Sequence, residues 1–219
     1  MNDHPPEPEP GPEGGPEAGP EGEPVPADHP DRLRWNAKYE GGAAPSFRAH
    51  PLAVRALSEP PPRGPVLDLA CGPSGGALLA ASQGRRVTAV DVSETALGLL
   101  GEEARHRGLG DLITLVHADL AAWSPPPRSF ALVLCTGFWD ARVFGPAAEA
   151  VLPGGLLAWE AFTLDARRVR PGLPAEWCLP AGAPAALLGG AFTVLDQRDV
   201  PDTRHGTKRR MLARRDAGG

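Results

Sequence analysis

Apolar runs and helical patterns alternate along the chain from residue 66 onward. Short runs rich in Val, Leu and Ala predict five strands, at 66–70, 86–90, 112–119, 130–137 and 156–163. Helical patterns follow the first, second and fourth of these runs, at 77–83, 93–108 and 145–155, the last of which includes a terminating turn. Such an alternation is typical of a parallel sheet that helices cover on both faces. The fourth run, FALVLCTG, has the apolar pattern expected of a central strand.

The pattern changes near the carboxyl end of the chain. FTVLDQRDV and TKRRMLARR predict two further strands, joined by the short loop PDTRHG. Because so short a loop joins antiparallel strands, these two strands predict a hairpin. The expected fold is therefore a Rossmann-like α/β domain over residues 31–219. Its sheet is doubly wound and seven-stranded, mostly parallel, with a C-terminal antiparallel hairpin.

Two helical patterns precede the first strand. In DRLRWNAKYEGG, Trp35 and Tyr39 lie one helical turn apart on the same face. These two rings either contact substrate as part of a lid or form the packed face of an amphipathic helix. The second pattern, HPLAVRALSEPPPRG, ends at the prolines at 60–62, which cannot continue a helix.

Residues 1–30 differ in composition from the rest of the chain. They contain ten prolines and eight acidic residues but no Lys or Arg. With almost nothing apolar to bury, they predict a disordered acidic tail that serves as a solubilising segment or tether, or alternatively as a regulatory arm. The formal charge of the chain is −5, but residues 31–219 hold 22 basic and 19 acidic side chains. A domain this close to neutral points to neither a nucleic acid nor a membrane surface.

The three cysteines, Cys71, Cys135 and Cys178, are widely spaced and include no CxxC pair. They therefore predict neither a disulfide framework nor a zinc site, and we expect no metal. A reducing, cytoplasmic location fits this usage of cysteine. No apolar run reaches the ~18 residues that span a bilayer, and the N-terminus lacks a secretion signal.

The most informative stretch is VLDLACGPSGG at 66–76. A buried strand leads into a glycine-rich turn and then a helix of small residues, so that backbone N–H groups approach a ligand closely. We expect Asp68, Ala70, Cys71 and Gly72 to surround the amino-acid end of a nucleotide-like cofactor, with Asp68 bonding an amine or a water. The alternative is a purely structural turn between strand and helix.

Acidic residues follow the next two strands. Asp91 is placed to accept hydrogen bonds from both ribose hydroxyls of a cofactor, and Val92 follows it. The alternative for Asp91 is a helix cap, although Ser93 is already a suitable cap. Asp119 is placed to accept a bond from an exocyclic adenine amine while Leu120 flanks the ring. Its alternative is a cap or loop acid.

Five segments carry a family resemblance in their order and spacing: VLDLACGPSGG, TAVDVS, HADL, FALVLCTG and LPGGLLAWE. They resemble the class I S-adenosylmethionine-dependent methyltransferases over residues 32–215. RWNAKY, WEAFT and RHGTKRRMLARR are similar to the small-molecule branch related to tellurite-resistance and thiopurine-type methyltransferases. The resemblance implies S-adenosylmethionine as cofactor. The residues it implies for cofactor binding are Asp68, Ala70, Cys71, Gly72, Asp91, Val92, Asp119, Leu120 and Thr136.

The chain departs from the family pattern at two positions, because Ala70 and Ser74 stand where glycines are usual. Both residues are small, so a ligand can still approach the turn, although a weakened affinity stays open. The motif G-x-G-x-x-G is absent, which argues against a nicotinamide cofactor.

Candidates for substrate contact and catalysis lie after the fourth and fifth strands. Trp139 either lines the pocket beside the sulfonium or packs at the sheet edge. Asp140 is either a base or a surface acid. Glu160, a polar residue within LLAWEAF, either belongs to the site or makes a buried structural hydrogen bond. His205 either reaches the substrate or is an exposed loop residue.

The expected activity is methyl transfer from S-adenosylmethionine to a small-molecule nucleophile. The chain lacks an Asn/Asp-Pro-Pro-aromatic tetrad after the fourth strand, which argues against nucleic acid as the substrate. The Arg and Lys residues at 204–215 lack interleaved aromatics, so they indicate a solvated hairpin face rather than an RNA site. The alternatives are an RNA or protein methyltransferase and a non-catalytic protein that binds S-adenosylmethionine.

Overall fold

A computed structural model describes the protein at residues 24–42, 44–60 and 63–218. Most of the predicted acidic tail, residues 1–23, lies outside the described residues. The last part of that tail is described: the Val25 side chain is buried, and its carbonyl oxygen accepts a hydrogen bond from Arg32 Nη1 at 2.9 Å. Packing against the domain therefore begins before residue 31.

One sheet organises the domain. Its described strands are β1 (Val66–Leu69), β2 (Val87–Asp91), β3 (Ile113–His117), β4 (Phe130–Thr136), β5 (Val151–Thr163), β6 (Cys178–Leu179), β7 (Phe192–Val200) and β8 (Lys208–Arg215). The spatial order is β3-β2-β1-β4-β5-β8-β7, and the two-residue β6 pairs with β5. Strands β1 to β5 are parallel, while β8 is antiparallel to β5 and β7. The predicted parallel sheet with a terminal hairpin is confirmed, and β6 is a strand that the sequence pattern did not indicate.

The described helices are α1 (Pro30–Glu40), α2 (Pro51–Ser58), α3 (Gly75–Ser82), α4 (Glu94–His106) and α5 (Ala141–Glu149). Ser93 caps α4 as predicted, since its Oγ accepts a hydrogen bond from the Ala96 N–H at 3.1 Å. Helix α5 begins before its predicted start at 145 because Asp140 caps it, through a 2.8 Å hydrogen bond from the Arg142 N–H. None of the helices in the described ranges is both long and apolar enough to cross a bilayer.

Strand β4 divides the core in two, because successive side chains of a strand point to opposite faces. Leu132 and Leu134 pack beneath α2 and α3, whereas Val133 and Cys135 pack on the opposite face with the residues of α5. All four side chains are buried, as the apolar pattern of this strand predicted. The parallel strands end at one edge of the sheet, where the turns after β1, β2 and β4 meet.

Candidate functional site at the carboxyl edge of the sheet

The turn after β1 depends on left-handed backbone conformations and close approaches. Ala70 has φ +47° and Gly72 has φ +55°. A Cβ on Gly72 would lie 2.8 Å from the Tyr39 hydroxyl, and a Cβ on Gly75 would lie 2.4 Å from the carbonyl carbon of Arg48. Gly75 is therefore required by the backbone that packs over it, whereas Gly72 and Ala70 both adopt a left-handed conformation that favours glycine.

Ser74 links this turn to the buried acid of β1. Its hydroxyl donates to Asp68 Oδ2 at 2.6 Å and accepts from the Ala77 N–H at 3.0 Å, so it also caps α3. Burial raises the pKa of Asp68 to about 7, against the opposing effect of the Ser74 hydrogen bond. A residue that stands at a family glycine position therefore holds the Asp68 carboxyl in place, which the sequence pattern did not show.

The Asp91 carboxylate joins the turn after β1 to the end of β2. Its Oδ2 accepts a hydrogen bond from the Gly72 N–H at 2.7 Å, and its Oδ1 accepts one from the Ser93 N–H at 2.9 Å. Burial raises the pKa of Asp91, and these backbone hydrogen bonds oppose that shift. A carboxylate has about four acceptor positions, so each oxygen retains one for a further donor such as a ribose hydroxyl. Val92, next in the chain, contacts His117 Nε2 through its carbonyl oxygen at 3.0 Å.

Asp119 lies one strand further along the same edge. Its Oδ1 accepts from the Ala121 N–H at 2.9 Å, and its Oδ2 lies 3.6 Å from His29 Nε2. The neighbouring Leu120 is buried. Asp119 therefore stabilises the turn after β3 and also faces His29, the residue that caps α1. The N-terminal segment thus lies over this part of the edge.

Helix α1 lies over the edge, and none of its residues is fully buried. It is held by polar contacts: Arg32 forms an ion pair with Glu94 at 2.6 Å, and Asn36 Oδ1 accepts from the Ser93 hydroxyl at 2.6 Å. The Trp35 and Tyr39 rings stack with centroids 6.2 Å apart. These contacts favour the lid interpretation of α1 over the alternative of a helix packed on the core.

Tyr39 is the member of α1 that reaches the glycine turn, since its hydroxyl lies where a Gly72 side chain would be. Burial raises the pKa of Tyr39 to about 12, with the Asp91 charge adding to the effect. The hydroxyl therefore stays protonated at neutral pH and is available as a hydrogen-bond donor.

A cavity of about 140 Å³ lies between the glycine turn and the segment before α2. Its lining includes Ser46, Arg48, His50, Cys71, Ser74 and Thr136. Cys71 and Thr136 were predicted at the site from the sequence, whereas Arg48 and His50 belong to no motif and reach the cavity only through the fold. A polar, partly cationic cavity of this size suits a small charged group.

Glu160 is buried within a cluster of cations. Its Oε1 lies 3.1 Å from Lys208 Nζ, with which it forms an ion pair, and 3.3 Å from His50 Nε2. Its Oε2 accepts a hydrogen bond from Arg210 Nε. Burial alone would raise the pKa of Glu160, but contacts with His50 and Arg210 and the Lys208 charge lower it to about 2. A carboxylate with so low a pKa is a poor proton acceptor at neutral pH, so Glu160 is suited to anchoring cations.

The remaining substrate-side candidates have structural partners. Trp139 is buried and packs against Phe144 and Trp159, with centroid separations of 5.6 and 6.2 Å, which favours packing over a pocket role. Asp140 caps α5 and pairs with Arg142 at 2.6 Å, which lowers its pKa, as expected of a surface acid.

The exposed His205 lies 2.9 Å from Asp202, within the loop of the terminal hairpin.

The Arg and Lys side chains of the hairpin were predicted to form a solvated face. Most of them are paired with acids: Arg209 with Asp199, Arg210 and Lys208 with Glu160, Arg214 with Glu59, and Arg215 with Glu149. Over the described ranges, no group of three or more His, Cys, Asp or Glu side chains could hold a metal ion.

The sheet order, the glycine turn after β1 and the buried acid after β2 are features of the Rossmann-like methyltransferase fold. Residues 66–155 match the family model described as "Methyltransferase domain". Through this domain the chain is an enzyme that uses S-adenosylmethionine as its cofactor. Comparison with curated proteins finds no match.

Solved structures share the fold over most of this chain. TehB from Haemophilus influenzae is 18% identical, with a TM-score of 0.64, and the match covers 83% of this chain and 67% of that one. Magnesium protoporphyrin IX methyltransferase (ChlM) from Synechocystis PCC 6803, with bound SAH, is 18% identical, with a TM-score of 0.60 and coverage of 75% and 80%. A structure from a study of the conversion of a disulfide bond into a thioacetal group during echinomycin biosynthesis is 21% identical, with a TM-score of 0.64 and coverage of 86% and 94%. At identities this low, the structural likeness shows a shared fold alone.

Proposed function

We propose that the enzyme transfers the methyl group of S-adenosylmethionine to a small-molecule nucleophile. The observation that carries this proposal is the cover over the site: α1 crosses the carboxyl edge, and the Tyr39 hydroxyl lies against Gly72. A macromolecular acceptor would need an open face at the same edge. The pairing of the hairpin cations with acids also argues against an extended nucleic-acid surface.

The residues at the edge fit the parts of the cofactor. Asp91 has acceptor positions for the ribose hydroxyls, and Asp119 lies at the end of the next strand for the adenine amine. The cavity beside Arg48 and Ser74 suits the amino-acid end, with the Arg48 guanidinium as a partner for its carboxylate. When bound, S-adenosylmethionine supplies a methyl group on a positively charged sulfur.

The side chains around the site support catalysis by positioning. Glu160 and Asp140 both have lowered pKa values, and the pKa of Tyr39 is about 12, so none of these three is matched to proton abstraction at neutral pH. Asp68, with a pKa of about 7, is buried beneath the turn and is bound by the Ser74 hydroxyl. Alignment of the acceptor with the methyl group can itself supply much of the rate. We therefore propose an acceptor that is a soft nucleophile or that reaches the site already deprotonated.

We also propose a reducing compartment such as the cytoplasm. Cys71, Cys135 and Cys178 are all free thiols. Burial raises the pKa of each of them, which keeps them in the less reactive protonated form.

The test is an acceptor screen that measures S-adenosylhomocysteine formed from S-adenosylmethionine. The panels are small thiols, phenols, amines and carboxylic acids, with RNA and protein extracts in parallel. We expect turnover with at least one small-molecule class and none with the macromolecules. Turnover with RNA or protein alone would assign the acceptor to that class, and cofactor binding without any turnover would favour the non-catalytic alternative.

A further inference from the structure

Cations lie over aromatic rings at the mouth of the site. Arg34 Cζ is 4.3 Å from the ring centroid of Trp177, and Lys38 Nζ is 4.2 Å from that of Trp35. These separations are within the range of attractive cation–π contacts. Arg34 of α1 therefore contacts a ring of the segment that follows β5, whereas Lys38 lies over a ring of α1 itself.

The end of β5 continues this arrangement. Arg170 Cζ and Lys208 Nζ lie 4.8 and 5.1 Å from the ring centroid of Phe162. We refer to Arg34, Lys38, Arg170 and Lys208 as the cationic layer. Its members come from α1, from the loop after β5 and from β8, so they meet only in the folded protein.

The cationic layer carries more positive charge than its acids balance. Lys208 pairs with Glu160, but that carboxylate also pairs with Arg210. Across the part of the chain that the structure describes, Arg34, Lys38 and Arg170 have no carboxylate within ion-pair distance. Burial lowers the pKa of Lys38; the charge of Asp91 opposes that shift, and the charges of Arg34, Arg170 and Lys208 add to it.

The cationic layer adjoins the cofactor residues. Lys38 precedes Tyr39, whose hydroxyl lies over Gly72, and the charge of Asp91 acts on Lys38. At the other end, Lys208 pairs with Glu160, which lies opposite Thr136 in the sheet register. The layer therefore spans the edge from the ribose acid to the end of β5, where an acceptor in a doubly wound sheet has to bind.

We infer that the methyl acceptor carries an anionic group, a carboxylate or a phosphate, that binds to the cationic layer. The inference rests on the proposed function and names the class of its substrate. Guanidinium and ammonium groups on ring faces keep N–H donors free for oxygen anions. Single-stranded RNA is the less suitable occupant, because base stacking needs open ring faces and cations cover those of Trp35, Trp177 and Phe162.

The cationic layer also accounts for a reaction without a protein base. Nearby cations lower the pKa of an acceptor thiol or phenol, so its proton is released to water before the transfer. A lone pair of the deprotonated atom then forms the bond to the methyl carbon, while the carbon–sulfur bond breaks and its electron pair remains on the sulfur. The products are the methylated acceptor and S-adenosylhomocysteine.

The test compares acids with their primary amides, which differ in charge but keep the nucleophile. The probes are 4-mercaptobenzoate, 3-mercaptopropionate and 4-hydroxybenzoate, each with its amide. Binding to the enzyme loaded with S-adenosylhomocysteine is measured by calorimetry, and kcat and KM by product formation. We expect at least one acid to bind about tenfold more tightly than its amide, as charge-assisted hydrogen bonds imply.

The variants Arg34→Gln and Arg170→Gln should each reduce that preference by about threefold or more, mainly through KM. The matched control is Arg105→Gln, an exposed arginine in the last turn of α4 at the opposite edge of the sheet, which should leave the preference unchanged. Unchanged binding of S-adenosylhomocysteine in every variant shows that the fold and cofactor site are intact.

Equal binding of acids and amides, or no binding of any probe, would overturn the inference. The inference would also be overturned if Arg34→Gln and Arg170→Gln left the preference for acids over amides intact. The same holds if these variants lost affinity for an RNA oligonucleotide instead. Failure of the wild type to bind S-adenosylhomocysteine would instead count against the proposed function, and the same titrations reveal it.

Discussion

The backbone N–H of Gly72 donates a hydrogen bond to Asp91 Oδ2 at 2.7 Å. The other oxygen of that carboxylate accepts from the Ser93 N–H. One buried acid therefore holds the turn after β1 and the start of the loop after β2 at a fixed separation. The residue proposed to bind the ribose also builds the loop around it, so its substitution should affect both affinity and stability.

Asp91→Asn is expected to reduce the affinity for S-adenosylhomocysteine by roughly 10- to 100-fold, because hydrogen bonds to charged groups contribute about 1.5–3 kcal/mol. The Asn side chain also places its own N–H group against the backbone N–H of either Gly72 or Ser93, so that one of these donors loses its acceptor. The free energy of unfolding should therefore fall by about 1–3 kcal/mol. Calorimetry and urea unfolding measure the two effects. Asp111→Asn, at an exposed residue before β3, is the control and should match the wild type. Wild-type affinity in Asp91→Asn would exclude Asp91 from the cofactor site.

Ala70→Gly is expected to stabilise the protein. A left-handed conformation costs a non-glycine residue about 1–2 kcal/mol, and the greater freedom of glycine in the unfolded chain offsets about 0.4–1 kcal/mol of the gain. The net increase in the free energy of unfolding should be about 0.5–1 kcal/mol by urea titration. Ala37→Gly, in the right-handed helix α1, should lower it by about 1 kcal/mol. Equal losses in both variants would show that Ala70 is not strained.

Asp68 should make the folded protein less stable as pH rises from about 4 to about 7. Burial raises its pKa to about 7 in the folded state from an ordinary value of 3.8, so in this window the folded state holds a proton that the unfolded state has released. Asp68→Asn should remove a decline of roughly 2–4 kcal/mol in the free energy of unfolding, measured without cofactor. Glu160 has the opposite effect, because its pKa is lowered from an ordinary value of 4.5 to about 2 in the folded state. Its contribution to stability is fully present above pH 4.5 and is lost as the pH falls from 4.5 toward 2. Parallel curves for the wild type and Asp68→Asn between pH 4 and 7 would contradict the assignment.

Glu160→Gln should lower the free energy of unfolding by about 2–4 kcal/mol, because it leaves Lys208 and Arg210 without their buried anion. Glu103→Gln breaks an exposed pair with Arg107 on α4 and should cost about 0.5 kcal/mol or less. Urea unfolding of the two variants checks the contrast. Similar small losses in both would mean that the cluster around Glu160 contributes no more than a surface ion pair.

The fold was predictable where the pattern is local. The apolar run of β4 and the cap residue Ser93 each depend on a few adjacent residues, and the structure confirms both. Helix α5 starts earlier than predicted because the Asp140 carboxylate caps it, a role that the adjacent residues did not indicate. The two-residue β6 has too few residues for any periodicity to reveal it.

The candidate site was predictable only in part. Strand ends identified Asp68 and Asp91, because topology alone brings those acids to one edge. The polar position of Glu160 within an apolar run was recognised as unusual, but its partner His50 is distant in sequence and belongs to no motif. The contact of Tyr39 with the Gly72 turn likewise depends on how α1 crosses the edge, which local patterns do not specify.

The most direct test of the central claim is calorimetric titration of the wild-type enzyme with S-adenosylmethionine and S-adenosylhomocysteine. The predicted result is saturable binding of each at one site per chain, with each displacing the other. No binding of either ligand to the folded wild-type enzyme would contradict the assignment of the carboxyl-edge site.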